Sequence, residues 1–124
     1  MSFLRRLRAR SRPVLVVEDD AGLRVYLATI LERQGYEVAA AGSGEEALRL
    51  LGGRRAMLAV LDVGLPGMDG FAVAEHLAPD VPVLVVTADP LDARERTERR
   101  TPPIPVLGKP VSPEQLEQAV SALV

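Results

Sequence analysis

At 124 residues, 48% hydrophobic and 26% charged, the chain has room for one domain with a real core and the composition of a soluble globular protein. It has no cysteine and one histidine, His76, which excludes disulfides, thiolate metal sites and polyhistidine metal centres. The net charge of −2 is uneven: Arg5, Arg6, Arg8, Arg10 and Arg12 crowd the first twelve residues, the remainder sums to −7, and Lys109 is the lone lysine among fourteen arginines.

Residues 1–12 form a basic N-terminal arm, expected to be flexible. Phe3, Leu4 and Leu7 also leave open a short amphipathic helix against a partner, nucleic acid or an acidic membrane surface. No apolar run approaches the ~20 residues of a membrane span. No apolar segment of signal-peptide length follows the arginines. The expected location is the cytoplasm, with no membrane partner. No DNA-binding motif is recognisable, so no nucleic-acid partner is expected.

The domain is expected over 13–124. Pro13 opens Val14-Leu15-Val16-Val17, a β-favouring run that ends in Glu18-Asp19-Asp20. Asp20 can cap a helix from Ala21, with Leu23, Leu27, Ile30 and Leu31 on one face and Gly35 as its stop. Tyr36–Ala41 is a shorter strand. Ser43 can cap a helix over Gly44–Leu51, with Glu46 placed for a capping box and Gly52-Gly53 after it.

Met57–Asp62 is the central strand: a continuous apolar run closed by a carboxylate and the turn residues Gly64, Pro66, Gly67 and Gly70. Asp69 can cap a helix over Gly70–Ala78, in which His76 is solvent-facing, and Pro79 breaks it. Pro82–Thr87 is a fourth strand ending in a hydroxyl. Asp89–Thr101 is helical by propensity, but Leu91 and Ala93 are nearly its only apolar residues, so a marginal, solvated helix is expected. Thr101-Pro102-Pro103 is extended. Ile104–Leu107, interrupted by Pro105, suits an edge strand. After Gly108-Lys109-Pro110, Ser112 caps a last helix that opens on Pro113 and buries Leu116, Ala119, Val120 and Leu123.

The rhythm is (βα)5, an α/β doubly wound parallel sheet with right-handed crossovers. The flavodoxin-like order 2-1-3-4-5 sets strands 1 and 3, both ending in carboxylates, side by side at the switch point where such sheets bind ligands. Glu18, Asp19, Asp62, Thr87 and Lys109 then converge. Carboxylates ~5 Å apart repel by ~3 kcal/mol per pair at an effective dielectric of ~20, and need a cation to stay ionised together. Oxygen ligation without histidine or cysteine points to Mg²⁺ or Mn²⁺. A hydroxyl and a lysine beside that metal suit a phosphoryl group, with Asp62 in line as nucleophile.

The set Val16-Val17-Glu18-Asp19-Asp20, Leu61-Asp62-Val63-Gly64-Leu65-Pro66-Gly67-Met68-Asp69-Gly70, Val86-Thr87-Ala88 and Gly108-Lys109-Pro110 resembles the CheY-like receiver domain of bacterial two-component response regulators over roughly residues 13–124. The resemblance implies that Asp62 accepts a phosphoryl group from a histidine kinase or phosphotransfer protein. It implies that Asp19, Asp62 and the Gly64 backbone carbonyl bind Mg²⁺, with Glu18 acting through water, while Thr87 and Lys109 contact the phosphoryl oxygens. The chemistry is self-catalysed phosphorylation and hydrolysis, not ordinary enzyme turnover. The switch would act on a downstream protein target, as a monomer or weak homodimer, either alone or as a piece of a longer regulator or hybrid kinase.

Two positions depart from the family pattern. Val106 stands where an aromatic residue commonly sits three positions before the lysine, so the usual aromatic switch is expected to be absent or replaced. Gly64 offers no side chain to shield an acyl phosphate. The rivals are a pseudo-receiver, an interaction module that no longer switches, and a small hydrolytic phosphotransferase. The second lacks a general acid near Asp62. The loop also lacks the Gly-Lys-Ser/Thr ending of a nucleotide P-loop.

Overall fold

The computed structural model describes residues 12–65, 67–100 and 103–124. The basic arm up to residue 11, Pro66 of the glycine-rich loop and the Thr101-Pro102 stretch expected to be extended lie outside the described residues. The elements alternate along the chain: β1 (Val14–Val17), α1 (Ala21–Arg33), β2 (Val38–Ala41), α2 (Gly44–Leu51), β3 (Leu58–Leu61), α3 (Gly70–Glu75), β4 (Val83–Thr87), α4 (Pro90–Thr97), β5 (Val106–Gly108) and α5 (Pro113–Leu123). The strands form one parallel sheet in the order β2-β1-β3-β4-β5, as the sequence rhythm implies.

All four residues of β1 and of β3 are buried. Their unbroken apolar runs need cover on both faces, and successive side chains go to opposite layers. Val14, Val16, Leu58, Val60, Leu84 and Val86 pack with Leu27 and Leu31 of α1 and Leu116 and Val120 of α5. Leu15, Val17, Ala59 and Leu61 pack with Ala47 and Leu51 of α2 and Val73 of α3. A third, smaller cluster joins Val63, Phe71, Val85 and Ala93 beneath α4. Each fully buried leucine or valine contributes roughly 1.5–3 kcal/mol, so the two large clusters dominate stability.

The caps are where the sequence puts them. Asp20, Asp69 and Ser112 each accept a backbone N–H in the first turn of their helices. Ser43 accepts from the Glu46 N–H at 3.2 Å, but the reciprocal capping box forms at Ser112 with Gln115. In α1, Leu27 and Leu31 are fully buried, while Leu23 and Ile30 are half-buried at the edge of the same cluster.

Several boundaries differ from the sequence expectation, by one residue at the ends of β3 (Leu58–Leu61) and the start of β4 (Val83), and by more elsewhere. Helix α3 ends at Glu75, short of Ala78. The N–H groups of His76 and Leu77 bond three residues back, to Val73 and Ala74, and Pro79 biases Ala78 away from helix. His76 is thus a C-cap, not a mid-helix residue, and is exposed as expected. Strand β5 starts at Val106, because Pro105 has no N–H to give; its carbonyl accepts from Val85 at 3.0 Å. Strand β2 starts at Val38, since Tyr36 bonds back to Leu31 at the end of α1. Helix α4 stops at Thr97, with its one long apolar side chain, Leu91, 72% exposed.

Gly70 seats the start of α3 directly on the β3 end. A Cβ there would stand 2.4 Å from the Asp62 carbonyl oxygen and 3.1 Å from Val63 Cα, both backbone atoms with no freedom to turn away. Gly70→Ala should therefore lose about 1–3 kcal/mol in urea unfolding, as overpacked cores do. Gly64→Ala, whose Cβ would make only an ordinary 3.6 Å contact, should unfold close to the parent.

Candidate functional site

The site is built by register. Val17 pairs with Leu61 across β1 and β3, so the next residues, Glu18 and Asp62, emerge side by side. Thr87 closes β4, its partner is Gly108, and Lys109 follows with its N–H bonded to the Thr87 carbonyl at 2.8 Å. The Lys109–Pro110 peptide is cis.

Lys109 is the centre of the cluster. Its Nζ lies 2.8 Å from Asp62 Oδ2 and 3.0 Å from Glu18 Oε2. Glu18 and Asp62 are buried, at 1% and 7% exposure. The contact to Glu18 Oε2 is an ion pair at an angle that misses hydrogen-bond geometry, so this buried oxygen has no hydrogen-bond partner. Asp62 Oδ1 accepts the Gly64 N–H at 2.9 Å. Asp19 is exposed, yet one oxygen each from Glu18, Asp19 and Asp62 fall within 4.8 Å of one another. Thr87 is buried and its hydroxyl accepts the Asp89 N–H at 3.2 Å, which leaves its own proton to donate. The structure thus brings together Glu18, Asp19, Asp62 and Lys109, and sets Thr87 on the strand between the last two. For Gly64, the N–H is committed to Asp62.

Three carboxylates against one ammonium leave a net −2 when all are ionised. Burial pushes the Glu18 carboxyl above its usual range; Lys109 and the Asp20 N–H pull it back in part, and Asp62 adds to the rise. Burial presses the Lys109 ammonium downward, but its hydrogen bond to Asp62 and its ion pair with Glu18 outweigh that and hold it above the usual lysine value.

Asp69 takes no part in the cluster. Its Oδ1 accepts the Ala72 N–H at 2.8 Å and its Oδ2 meets Arg96 at 3.3 Å; that cap bond first, and then Arg96, hold its carboxyl below the ordinary range despite partial burial. A carboxylate so stabilised is a poor general acid. A groove of about 410 Å³ lined by Leu48, Leu51, Ala56, His76, Leu77 and Val81 lies at the opposite ends of the strands, where no cluster of metal-ligating side chains occurs among the described residues.

Three features escape a reading of the sequence. Arg24 of α1 donates to the Glu18 carbonyl at 2.8 Å; the available signal was only its place one turn past Asp20. Gly70 touches the Asp62 backbone. Arg96 and Arg100 stack over the Phe71 ring at 4.1 and 4.8 Å from its centroid, anchoring the apolar-poor α4 to α3.

Comparison with known proteins follows the same lines. Residues 14–121 match the family model for the response regulator receiver domain. A 77-residue stretch is 46% identical to the transcriptional regulatory protein AfsQ1 of Streptomyces coelicolor, covering 60% of this chain and 34% of that protein. Over 119 residues the chain is 34% identical to the "Probable transcriptional regulator ycf27" of Cyanophora paradoxa, covering 94% of this chain and 50% of the relative. The chain therefore spans half or less of these relatives' length. Among solved structures, chemotaxis protein CheY4 of Vibrio cholerae superposes with a TM-score of 0.79 at 26% identity over 91% of this chain and 98% of that one. Response regulator TrrA of Thermotoga maritima, in complex with Mg²⁺-BeF, gives 0.78 at 28% identity over 91% and 99%.

The raised Glu18 value has a thermodynamic sign. The folded state holds this proton more tightly than the unfolded chain, so the contribution is full below the ordinary glutamate range and is lost as pH rises through the raised value. With a chelator present, the urea midpoint should fall over that window in the parent and lose this slope in Glu18→Gln. Lys109 gives a second loss in alkali, above its ordinary range. An identical slope in both proteins would remove Glu18 as the cause.

Proposed function

The chain belongs to the response regulator receiver domain family, and on that premise we propose that it is the phosphoacceptor module of a two-component phosphorelay, with Asp62 taking the phosphoryl group from a histidine kinase or phosphotransfer protein. The observation that supports this reading is the convergence of three carboxylates, two of them paired with one ammonium, at the carboxyl end of the sheet. Residues 13–124 act as the receiver unit, with 1–12 a basic arm outside it, and the site of action is the cytoplasm. No helix among the described residues is long and apolar enough to cross a membrane.

The residues fit a hard divalent cation. Glu18, Asp19 and Asp62 each offer a carboxylate oxygen within 4.8 Å of the others, and Glu18 Oε2, ion-paired with Lys109, is buried with no hydrogen bond. Glu18, Asp19, Asp62 and the Gly64 carbonyl would hold Mg²⁺ or Mn²⁺, which when bound supplies positive charge opposite the phosphoryl oxygens.

An oxygen of the Asp62 carboxylate attacks phosphorus. The phosphorus–nitrogen bond of the donor phosphohistidine breaks, the electron pair stays on the imidazole nitrogen, and that nitrogen takes a proton from solvent. Asp62 is left as an acyl phosphate. Lys109, already 2.8 Å from Asp62 Oδ2, pairs with the new phosphoryl oxygens, and Thr87 donates its hydroxyl proton to another. Gly64 is exposed and brings no side chain over the site, so water can reach the acyl phosphate and hydrolyse it. Asp69, fixed as a cap, does not serve as a general acid for an external substrate, which argues against a hydrolytic phosphotransferase that would use it.

The output is a change in protein–protein contacts, in a monomer or weak homodimer. The matched relatives extend well past the shared segment, so their part in transcription is not carried over whole. Val106 is half-buried, and the ring in its cluster is Phe71, held from α3 by two arginines. Signal transmission should accordingly run through the α3–α4 contact. Backbone amide shifts on adding beryllofluoride and Mg²⁺ should be concentrated around Phe71, Arg96 and Arg100; a response led by β5 would overturn this part.

The direct test is intact mass after incubation with Mg²⁺ and a small phosphodonor such as acetyl phosphate. The parent should gain the mass of one phosphoryl group, and Asp62→Asn or a chelator should abolish the gain. A parent that gains nothing is a pseudo-receiver.

A further inference from the structure

Glu18 and Asp19 lie on the short β1–α1 loop, and the position of their carboxylates depends on what holds that loop. Some ties are local: the Asp20 N–H donates to Glu18 Oε1 at 3.2 Å, and Asp20 caps α1 through the Leu23 N–H at 2.8 Å. One reaches in from α1. Arg24 Nη1 donates to the Glu18 carbonyl at 2.8 Å and lies 3.5 Å from the Asp19 carbonyl, so one charged nitrogen spans both residues. The same nitrogen abuts the β2–α2 connection, where a Cβ on Gly42 would stand only 3.0 Å from it. Gly42 therefore leaves the space that the guanidinium uses. The base of the side chain is fixed too, since the Arg24 N–H donates to the Asp20 carbonyl at 2.9 Å.

We propose that Arg24 is a positioning residue that, by clamping the Glu18 and Asp19 carbonyls from the space beside Gly42, sets where their carboxylates stand relative to Asp62 and thereby sets the affinity for a divalent cation. The inference rests on the reading of the acidic cluster as a cation site. A lysine in place of Arg24 keeps the charge, but its ammonium sits one bond short of the position that Nη1 occupies between the two carbonyls, and it lacks the rigid guanidinium plane that aims that nitrogen. An alanine in place of Gly42 crowds the guanidinium from the far side while leaving Arg24 intact.

The experiment measures Mg²⁺ binding by calorimetry and Mn²⁺ binding by electron paramagnetic resonance on the full chain. It compares the parent with Arg24→Ala, Arg24→Lys and Gly42→Ala. Arg24→Ala should weaken both metals by about tenfold, the scale of lost outer-shell partners. Arg24→Lys should recover part of that, and Gly42→Ala should show a smaller loss. Phosphorylation of Arg24→Ala by acetyl phosphate should be slow at limiting Mg²⁺ and return to the parent rate at saturating Mg²⁺, a split that general damage to the fold would not give. If the parent itself binds neither metal, the cation-site reading fails and this inference with it. If the parent binds but Arg24→Lys and Gly42→Ala bind equally well, the role of Arg24 alone is overturned; these two variants keep the test open should Arg24→Ala fail to fold.

Discussion

One ammonium, Lys109, holds two buried carboxylates on neighbouring strand ends. Its contacts at 2.8 Å to Asp62 and 3.0 Å to Glu18 draw the tips of β1, β3 and β5 into one site. Truncating one partner of such a set would leave uncompensated charge behind, the large cost in any buried ion pair. The balance is also incomplete, since Asp19 brings a third carboxylate to the same few ångströms. Excess negative charge beside a single cation makes the cluster compatible with a divalent metal.

The rest of the fold brings these groups to one place. A parallel sheet buried on both faces puts every strand's last residue at the same end. Close contact of the Gly70 backbone with Asp62 leaves that residue little room to shift. Around this rigid centre lie less apolar attachments. Helix α4 buries Ala93 and Thr97 but leaves Leu91 in solvent, and it is tied to α3 by the Asp69–Arg96 pair and by two arginines over Phe71. Exposed pairs of that kind contribute little each, so α4 is more lightly anchored than the helices seated on the two large apolar clusters. Arg24 ties the acidic loop to α1 through the loop carbonyls.

Much of this was legible in the residues themselves. Unbroken apolar runs ending in Glu18 and Asp62 announce strands covered on both faces, and the Asp20, Asp69 and Ser112 caps with Pro113 fix helix starts. Alternation of the two periods gives the (βα)5 order, and the four strand-end motifs place the candidate site. These signals sit within windows of a few residues, where periodicity and capping chemistry act locally. The sequence by itself determined the elements, their order and the chemical identity of the cluster. Only the tertiary structure decided that Glu18 is buried while its neighbour Asp19 is exposed, that Lys109 reaches both Glu18 and Asp62, that α3 stops at Glu75, that Arg24 holds the β1–α1 loop and that the Phe71 stack ties α4 to α3. The meeting of Lys109 with Glu18 and Asp62 depends on register and packing between segments far apart in the chain, with Lys109 and Asp62 at 47 residues' separation, and no local pattern encodes how two distant strand ends will meet.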